Sequence, residues 1–115
     1  MTTYIRDFPG RILYRIEDDR ICEFSGHCLY RLNGSRLCTF TGTVLYVIEN
    51  DRVTEFAGRV IYRVEGNTIR EFAGQAKYRF TDDRIEDFYG RTLYRIDGPI
   101  SRTMLLAMII VIERG

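Results

Sequence analysis

A unit of sixteen residues repeats along almost the whole chain and never slips. Glycine marks it at Gly10, Gly26, Gly42, Gly58, Gly74 and Gly90, and tyrosine at Tyr14, Tyr30, Tyr46, Tyr62, Tyr78 and Tyr94. Phenylalanine marks it at Phe8, Phe24, Phe40, Phe56, Phe72 and Phe88, and an apolar branched residue at Ile5, Ile21, Leu37, Val53, Ile69 and Ile85. Four markers sharing one period set a repeat architecture before any single residue is interpreted.

Within a unit such as 10–25, an apolar stretch, a short polar turn and a second apolar stretch follow one another. The turns read Glu17-Asp18-Asp19, Asn33-Gly34-Ser35, Glu49-Asn50-Asp51, Glu65-Gly66-Asn67, Thr81-Asp82-Asp83 and Asp97-Gly98-Pro99. Asn, Asp and Gly tolerate the positive φ that tight hairpins require, while the Ile, Val, Leu, Tyr and Phe of the flanks suit a pleated surface. No stretch between turns is long enough for a helix. Each unit therefore reads as a short β-hairpin. The expected fold class is all-β: about six hairpins packed radially, flower- or propeller-like, in a single domain over residues 1–115.

Alternation along the first strand puts Ile12, Tyr14 and Ile16 on one face, which should point to the core. In the second strand Ile21 and Phe24 are three apart, so a regular strand sends them to opposite faces. Either a bulge realigns them, or each hairpin is buried on both sides, once by the core and once by a neighbour; the second is preferred, because a lone two-stranded hairpin is marginal and needs neighbours.

Both ends look like half-units. Tyr4 to Phe8 matches a second strand, and Met108 to Glu113 aligns by sixteens with the first strand Ile12 to Glu17. Pairing these two halves would close a ring and remove exposed sheet edges. The tail also admits a helix from Arg102 to about Ile112, capped by Ser101, with Leu106 in the place of the marker glycine. Strand and helix both stay open. Met104 to Ile112 is too short to cross a bilayer, which takes ~20 helical residues, and it needs cover. A homo-oligomer interface through Leu105, Met108, Ile109, Ile110 and Ile112 is the expected cover.

Lys and Arg total 17 against 16 Asp and Glu, a net charge of +1, which argues against a general nucleic-acid or anionic-membrane binder. Three cysteines, Cys22, Cys28 and Cys38, behind an N-terminus without a secretory pattern suggest reduced thiols and a cytoplasmic location. Cys22 and Cys38 hold equivalent positions and could approach each other. With His27, the single histidine, they make an incomplete ligand set, so no metal is expected and the cysteines read as small buried hydrophobes.

Arginine follows the marker tyrosine at Arg15, Arg31, Arg63, Arg79 and Arg95, with Val47 the exception. In a radial fold these five could gather on one anion. The plainer expectation is charge pairing with Glu23, Glu55, Glu71 and Asp87. The tyrosines should pack in the core with hydroxyls reaching a rim partner. No nucleophile stands near the lone histidine, and the glycines form no phosphate loop, so neither an enzyme nor a cofactor is expected.

The recurring Phe-x-Gly-x-x-Leu-Tyr-Arg-Ile pattern, clearest at Phe24 to Leu32 and Phe56 to Val64, resembles the four-fold beta-flower family of small bacterial proteins. The resemblance covers roughly residues 4–98 and implies hairpins set about an axis like petals. It brings no activity and no catalytic residues. This chain departs from it with about six units and an apolar tail. The function expected is a non-catalytic binding or assembly module, with a small-ligand or anion-binding protein built on the arginines as the alternative. Any specific activity should sit at the breaks in the repeat: Val47, Lys77, the early Cys and His residues, and the tail.

Overall fold

A computed structural model describes residues 2–72 and 74–114. Twelve strands precede one helix: β1 (Thr2–Asp7), β2 (Ile12–Glu17), β3 (Arg20–Glu23), β4 (Cys28–Asn33), β5 (Arg36–Thr39), β6 (Val44–Ile48), β7 (Arg52–Glu55), β8 (Val60–Glu65), β9 (Thr68–Glu71), β10 (Ala76–Thr81), β11 (Arg84–Asp87), β12 (Thr92–Asp97) and α1 (Arg102–Arg114). Each strand pairs antiparallel with its chain neighbours, and β1 pairs with both β2 and β12, so the sheet closes into a barrel. The closing partner of the N-terminal strand is β12, through Tyr4↔Asp97 and Ile5↔Ile96, and not the segment Met108 to Glu113. With β12 in place, no free edge remains for the tail to join.

Two kinds of connection alternate. Short polar turns at one end bring Glu17 opposite Arg20 and Asn33 opposite Arg36, with positive φ at Asp18 and Gly34 as a tight hairpin needs. Links at the other end are closed by the marker glycines. The Gly58 N–H donates to the Glu55 carbonyl at 2.8 Å, and its φ of 106° is a conformation L residues avoid. Open space surrounds the Cβ position there, so conformation and not crowding selects glycine.

The register shifts by one residue in the strand after each link, as between Ile5↔Tyr14 and Arg6↔Ile12. This bulge re-aims the strand start. Ile12 leaves the inner face that Tyr14 and Ile16 keep, which corrects the simple alternation expected for that strand.

Every strand sends one buried apolar residue inward, and these meet as cross-strand pairs: Ile16↔Ile21, Leu32↔Leu37, Ile48↔Val53, Val64↔Ile69, Phe80↔Ile85 and Ile5↔Ile96. All are at most 9% exposed and belong to one cluster with Met104 to Val111 of α1, themselves at most 4% exposed. Closed barrels have a single interior, so α1 lies in the lumen. Twelve strands at ~4.8 Å spacing give a barrel roughly 18 Å across before tilt widens it, too wide for strand side chains alone to fill. A helix about 10–12 Å across fills the remainder.

That placement resolves the tail. Apolar on all sides, it suits a helix surrounded by protein, and burial overrides the strand preference of its Ile-Ile-Val-Ile stretch. Ser101 caps it, its hydroxyl accepting from the Met104 N–H at 3.1 Å. The oligomer interface expected at Leu105, Met108, Ile109 and Ile110 is corrected: the chain's own barrel covers all four, leaving Ile112 half-buried. At the turn end Arg102 donates to the carbonyls of Gly66 at 2.8 Å and Asn50 at 3.5 Å, tying the helix start to two turns. Thr3 donates to the Pro99 carbonyl beside Gly98, where a Cβ would stand 2.8 Å from Thr3 Oγ1.

The phenylalanines differ from expectation. All six project outward and are 43–69% exposed, so the hairpins are not buried on both sides. Neighbouring hairpins lie edge to edge in one sheet instead of stacking face to face, which leaves the outer face open. Cys22 faces Cys28 across β3 and β4, and the two are joined in a disulfide, while Cys38 stays free and buried on β5. The bulge brings Cys28 round to face Cys22, so two thiols expected to be reduced are joined, and Cys22 does not meet Cys38.

Candidate ligand cup at the barrel mouth

At the link end of the lumen, each marker tyrosine stands opposite one short polar residue: Tyr14↔Glu23, Tyr30↔Thr39, Tyr46↔Glu55, Tyr62↔Glu71, Tyr78↔Asp87 and Tyr94↔Asp7. The repeated register holds all six pairs at one height, forming a tyrosine ring around the C-terminal end of α1. Burial raises the Tyr14 hydroxyl above its ordinary pKa, with neighbouring Tyr30 and Tyr94 and the Glu23 carboxylate adding to it. The ring members are thus close enough to feel one another.

One sector is unlike the rest. At the bulge position the other units carry Leu13, Leu29, Leu45, Ile61 and Leu93, and this sector carries Lys77. The Lys77 ammonium donates to Glu113 Oε1 at 2.5 Å, and the Tyr78 hydroxyl donates to the other carboxylate oxygen of Glu113. Burial by itself would raise the Glu113 carboxyl, but the hydrogen bonds from Lys77 and Tyr78 outweigh it and hold its pKa below the usual value. The Glu113 hydrogen bond raises Lys77, and burial together with Glu113 drives Tyr78 far above the usual phenol range. At neutral pH the cluster is locked as ammonium, carboxylate and neutral phenol.

Beside this cluster lies a cavity of about 680 Å³, lined by Val60, Ile61, Tyr62 and Phe72 and by Arg59, Glu71, Lys77, Glu113 and Arg114. A neighbouring cavity of about 270 Å³ runs between Tyr30, Tyr46, Glu55, Ile110 and Arg114. Apolar and aromatic walls with a few converging charges are the usual make-up of a small-molecule site.

The five arginines of the sequence reading lie elsewhere. Arg31, Arg63, Arg79 and Arg95 are exposed on the outer wall, and Arg15 is half-buried there, opposite Tyr4 and Cys22. Side chains on the outside of a closed barrel diverge, so the five do not converge on one anion. Nor do they pair with Glu71, which lines the mouth cavity opposite Tyr62, or with Glu23, Glu55 or Asp87. The last three close their own links, Glu55 to Arg59 at 3.0 Å, Asp87 to Arg91 at 3.2 Å and Glu23 to His27 at 3.2 Å. Among the described residues, Arg15 alone of the five reaches a carboxylate, that of Glu17, and its buried Nε has no partner among them.

Sequence reasoning missed Glu113, Arg114 and the tyrosine–carboxylate pairing as parts of one mouth. The signal was Lys77, a charge at an otherwise apolar repeat position, with Glu113 as its counterpart in an apolar tail. Among the described residues no group of three or more His, Cys, Asp or Glu side chains is placed to hold a metal ion, and no helix is long and apolar enough to cross a membrane. Compared with family models, with curated proteins and with solved structures, the chain finds no match in any of the three.

Proposed function

We propose that this chain is a non-catalytic binding module that receives a small amphiphilic ligand in the cup at its barrel mouth. The observation that carries the reading is the cavity of about 680 Å³ against Tyr62, Ile61 and Phe72, rimmed by Arg59 and Arg114. The charge states support binding over chemistry: Tyr78 and Lys77 are both raised and Glu113 is lowered, so none is poised to exchange protons near neutral pH. A layout of six radial sixteen-residue units, in the manner of the beta-flower resemblance, accounts for why one cup can differ while the scaffold stays constant.

Anilinonaphthalene sulfonate, with an apolar ring system and one anionic group, is a suitable probe. It should bind the folded protein saturably at one site, and Ile61→Trp, which fills the cup, should abolish that binding while leaving the thermal transition in place. Probe binding unchanged in Ile61→Trp would sink the reading.

A further inference from the structure

The outer wall carries a pattern of period thirty-two, twice the hairpin unit. Arg63 on β8 stands directly opposite Arg52 on β7 and Arg70 on β9. Thirty-two residues on, Arg95 on β12 stands directly opposite Arg84 on β11 and, across the barrel closure, Arg6 on β1. Thirty-two residues back, Arg31 faces Arg20 and, on its other side, Cys38. The intervening rows lack the motif: Arg15 lies between Tyr4 and Cys22, Val47 between Arg36 and Thr54, and Arg79 between Thr68 and Glu86.

Directly opposed like charges on adjacent strands, with Cβ atoms ~5 Å apart, repel each other. In both complete rows the flanking arginines lean towards carboxylates. Arg52 lies 3.4 Å from Asp51 and 3.8 Å from Glu49, and Arg70 lies 2.5 Å from Glu65. Arg6 lies 3.4 Å from Asp97, and Arg84 lies 2.8 Å from Glu86. Among the described residues, the central Arg63 and Arg95 have no carboxylate within 4.0 Å. Both instead lie over a phenylalanine ring, Arg63 over Phe72 at 5.1 Å and Arg95 over Phe8 at 5.4 Å. Stacking covers the guanidinium face and leaves its in-plane N–H groups free, the geometry that takes an oxyanion in a fork. A cavity of about 320 Å³ opens over Arg52, Arg63 and Phe72, with Asp51 and Glu65, the carboxylates that Arg52 and Arg70 lean towards, also in its wall.

We infer that the two arginine rows, centred on Arg63 and Arg95, are paired binding sites for tetrahedral oxyanions of the phosphate or sulfate class. The Arg63 row shares Phe72 with the mouth cup, but the inference rests on the arginine register and not on that cup. Arg79 is the internal control. It stacks on Phe88 at 5.4 Å and, among the described residues, has no carboxylate within 4.0 Å, but the residues facing it are Thr68 and Glu86 and not arginines. A stacked arginine alone is therefore separable from a row of three.

The test is a titration of the full chain with inorganic phosphate at constant ionic strength, with chloride as reference, followed by NMR of the arginine side-chain N–H signals. Two phosphates should bind per chain and shift the Arg63 and Arg95 signals saturably, with the Arg79 signal unmoved. Arg63→Gln should weaken one site about tenfold or more and leave the other intact, Arg95→Gln should do the converse, and Arg79→Gln should change neither, consistent with loss of a charge-assisted fork. All three substitutions are on the surface, and an unchanged thermal transition confirms the fold. Sulfate in place of phosphate should compete at both sites. A response no larger than that to chloride, or an Arg79→Gln effect equal to that of Arg63→Gln, overturns the inference.

Discussion

Ile21 and Phe24 sit three residues apart at the same repeat positions in every unit, yet one is fully buried and the other is 58% exposed. The inner wall and the outer wall of this barrel are equally regular and obey different rules. Inside, each strand contributes one branched or aromatic residue to a girdle that closes on α1, and the residue is set by the space left around the helix. Outside, the phenylalanines form no core. Arg63, Arg79 and Arg95 lie over three of them. Periodic recurrence of an apolar residue thus identifies a constraint without saying that the constraint is burial.

Several substitutions would break or sharpen this contrast. Met108→Asp has the largest expected effect, because Met108 is fully buried in the lumen and an unpaired carboxylate there has no partner. The barrel should fail to fold at neutral pH, and circular dichroism showing a native thermal transition would mean the helix is not enclosed. Ile69→Ala, in the girdle, should cost about 2–5 kcal/mol by chemical denaturation, from lost burial plus the cavity left behind.

Glu113→Gln is intermediate, at about 1–2 kcal/mol, since it removes the charge from a partly exposed pair with Lys77. Its pH signature is more specific. The folded carboxyl has its pKa below the ordinary 4.5, so its contribution is present above that value and is lost as pH falls through the lower folded value. Lys77 is raised above 10.5, so its contribution is full below that and is lost only as pH rises through the higher folded value. Wild type should therefore lose stability faster than Glu113→Gln on acidification below pH 4.5, and parallel acid limbs would contradict the pairing. Smallest is Phe56→Ala. Phe56 is 69% exposed, and the change should stay within about 0.5 kcal/mol by the same denaturation assay. A cost matching that of Ile69→Ala would show the outer wall to be core after all.

Much of the scaffold was legible because it is local. Turn residues such as Asn33-Gly34 and the alternation of Tyr14 with Ile16 specify hairpins from neighbouring residues alone. Bulges at positions such as Leu13 were not legible, since a one-residue register shift leaves no mark on composition. It moved Ile12 off the inner face and brought Cys28 opposite Cys22. The state of the tail was equally hidden: its residues allow strand or helix, and the choice is made by a lumen that exists only once β1 meets β12. Of the candidate site, Lys77 was visible as a break, but its partner Glu113 is 36 residues away and reachable only through the helix. The five arginines could be seen in sequence. Their arrangement into rows could not, because it depends on which strands become neighbours.

Whether α1 fills the barrel is tested most directly by native-state hydrogen exchange. A helix of 13 residues is marginal on its own in water, so strong protection can come only from its surroundings. The amides of Leu106 to Val111 should exchange as slowly as those of Ile21 and Ile69, by global unfolding alone. Exchange of those helical amides orders of magnitude faster than the girdle strands would place the helix outside the barrel and contradict the account.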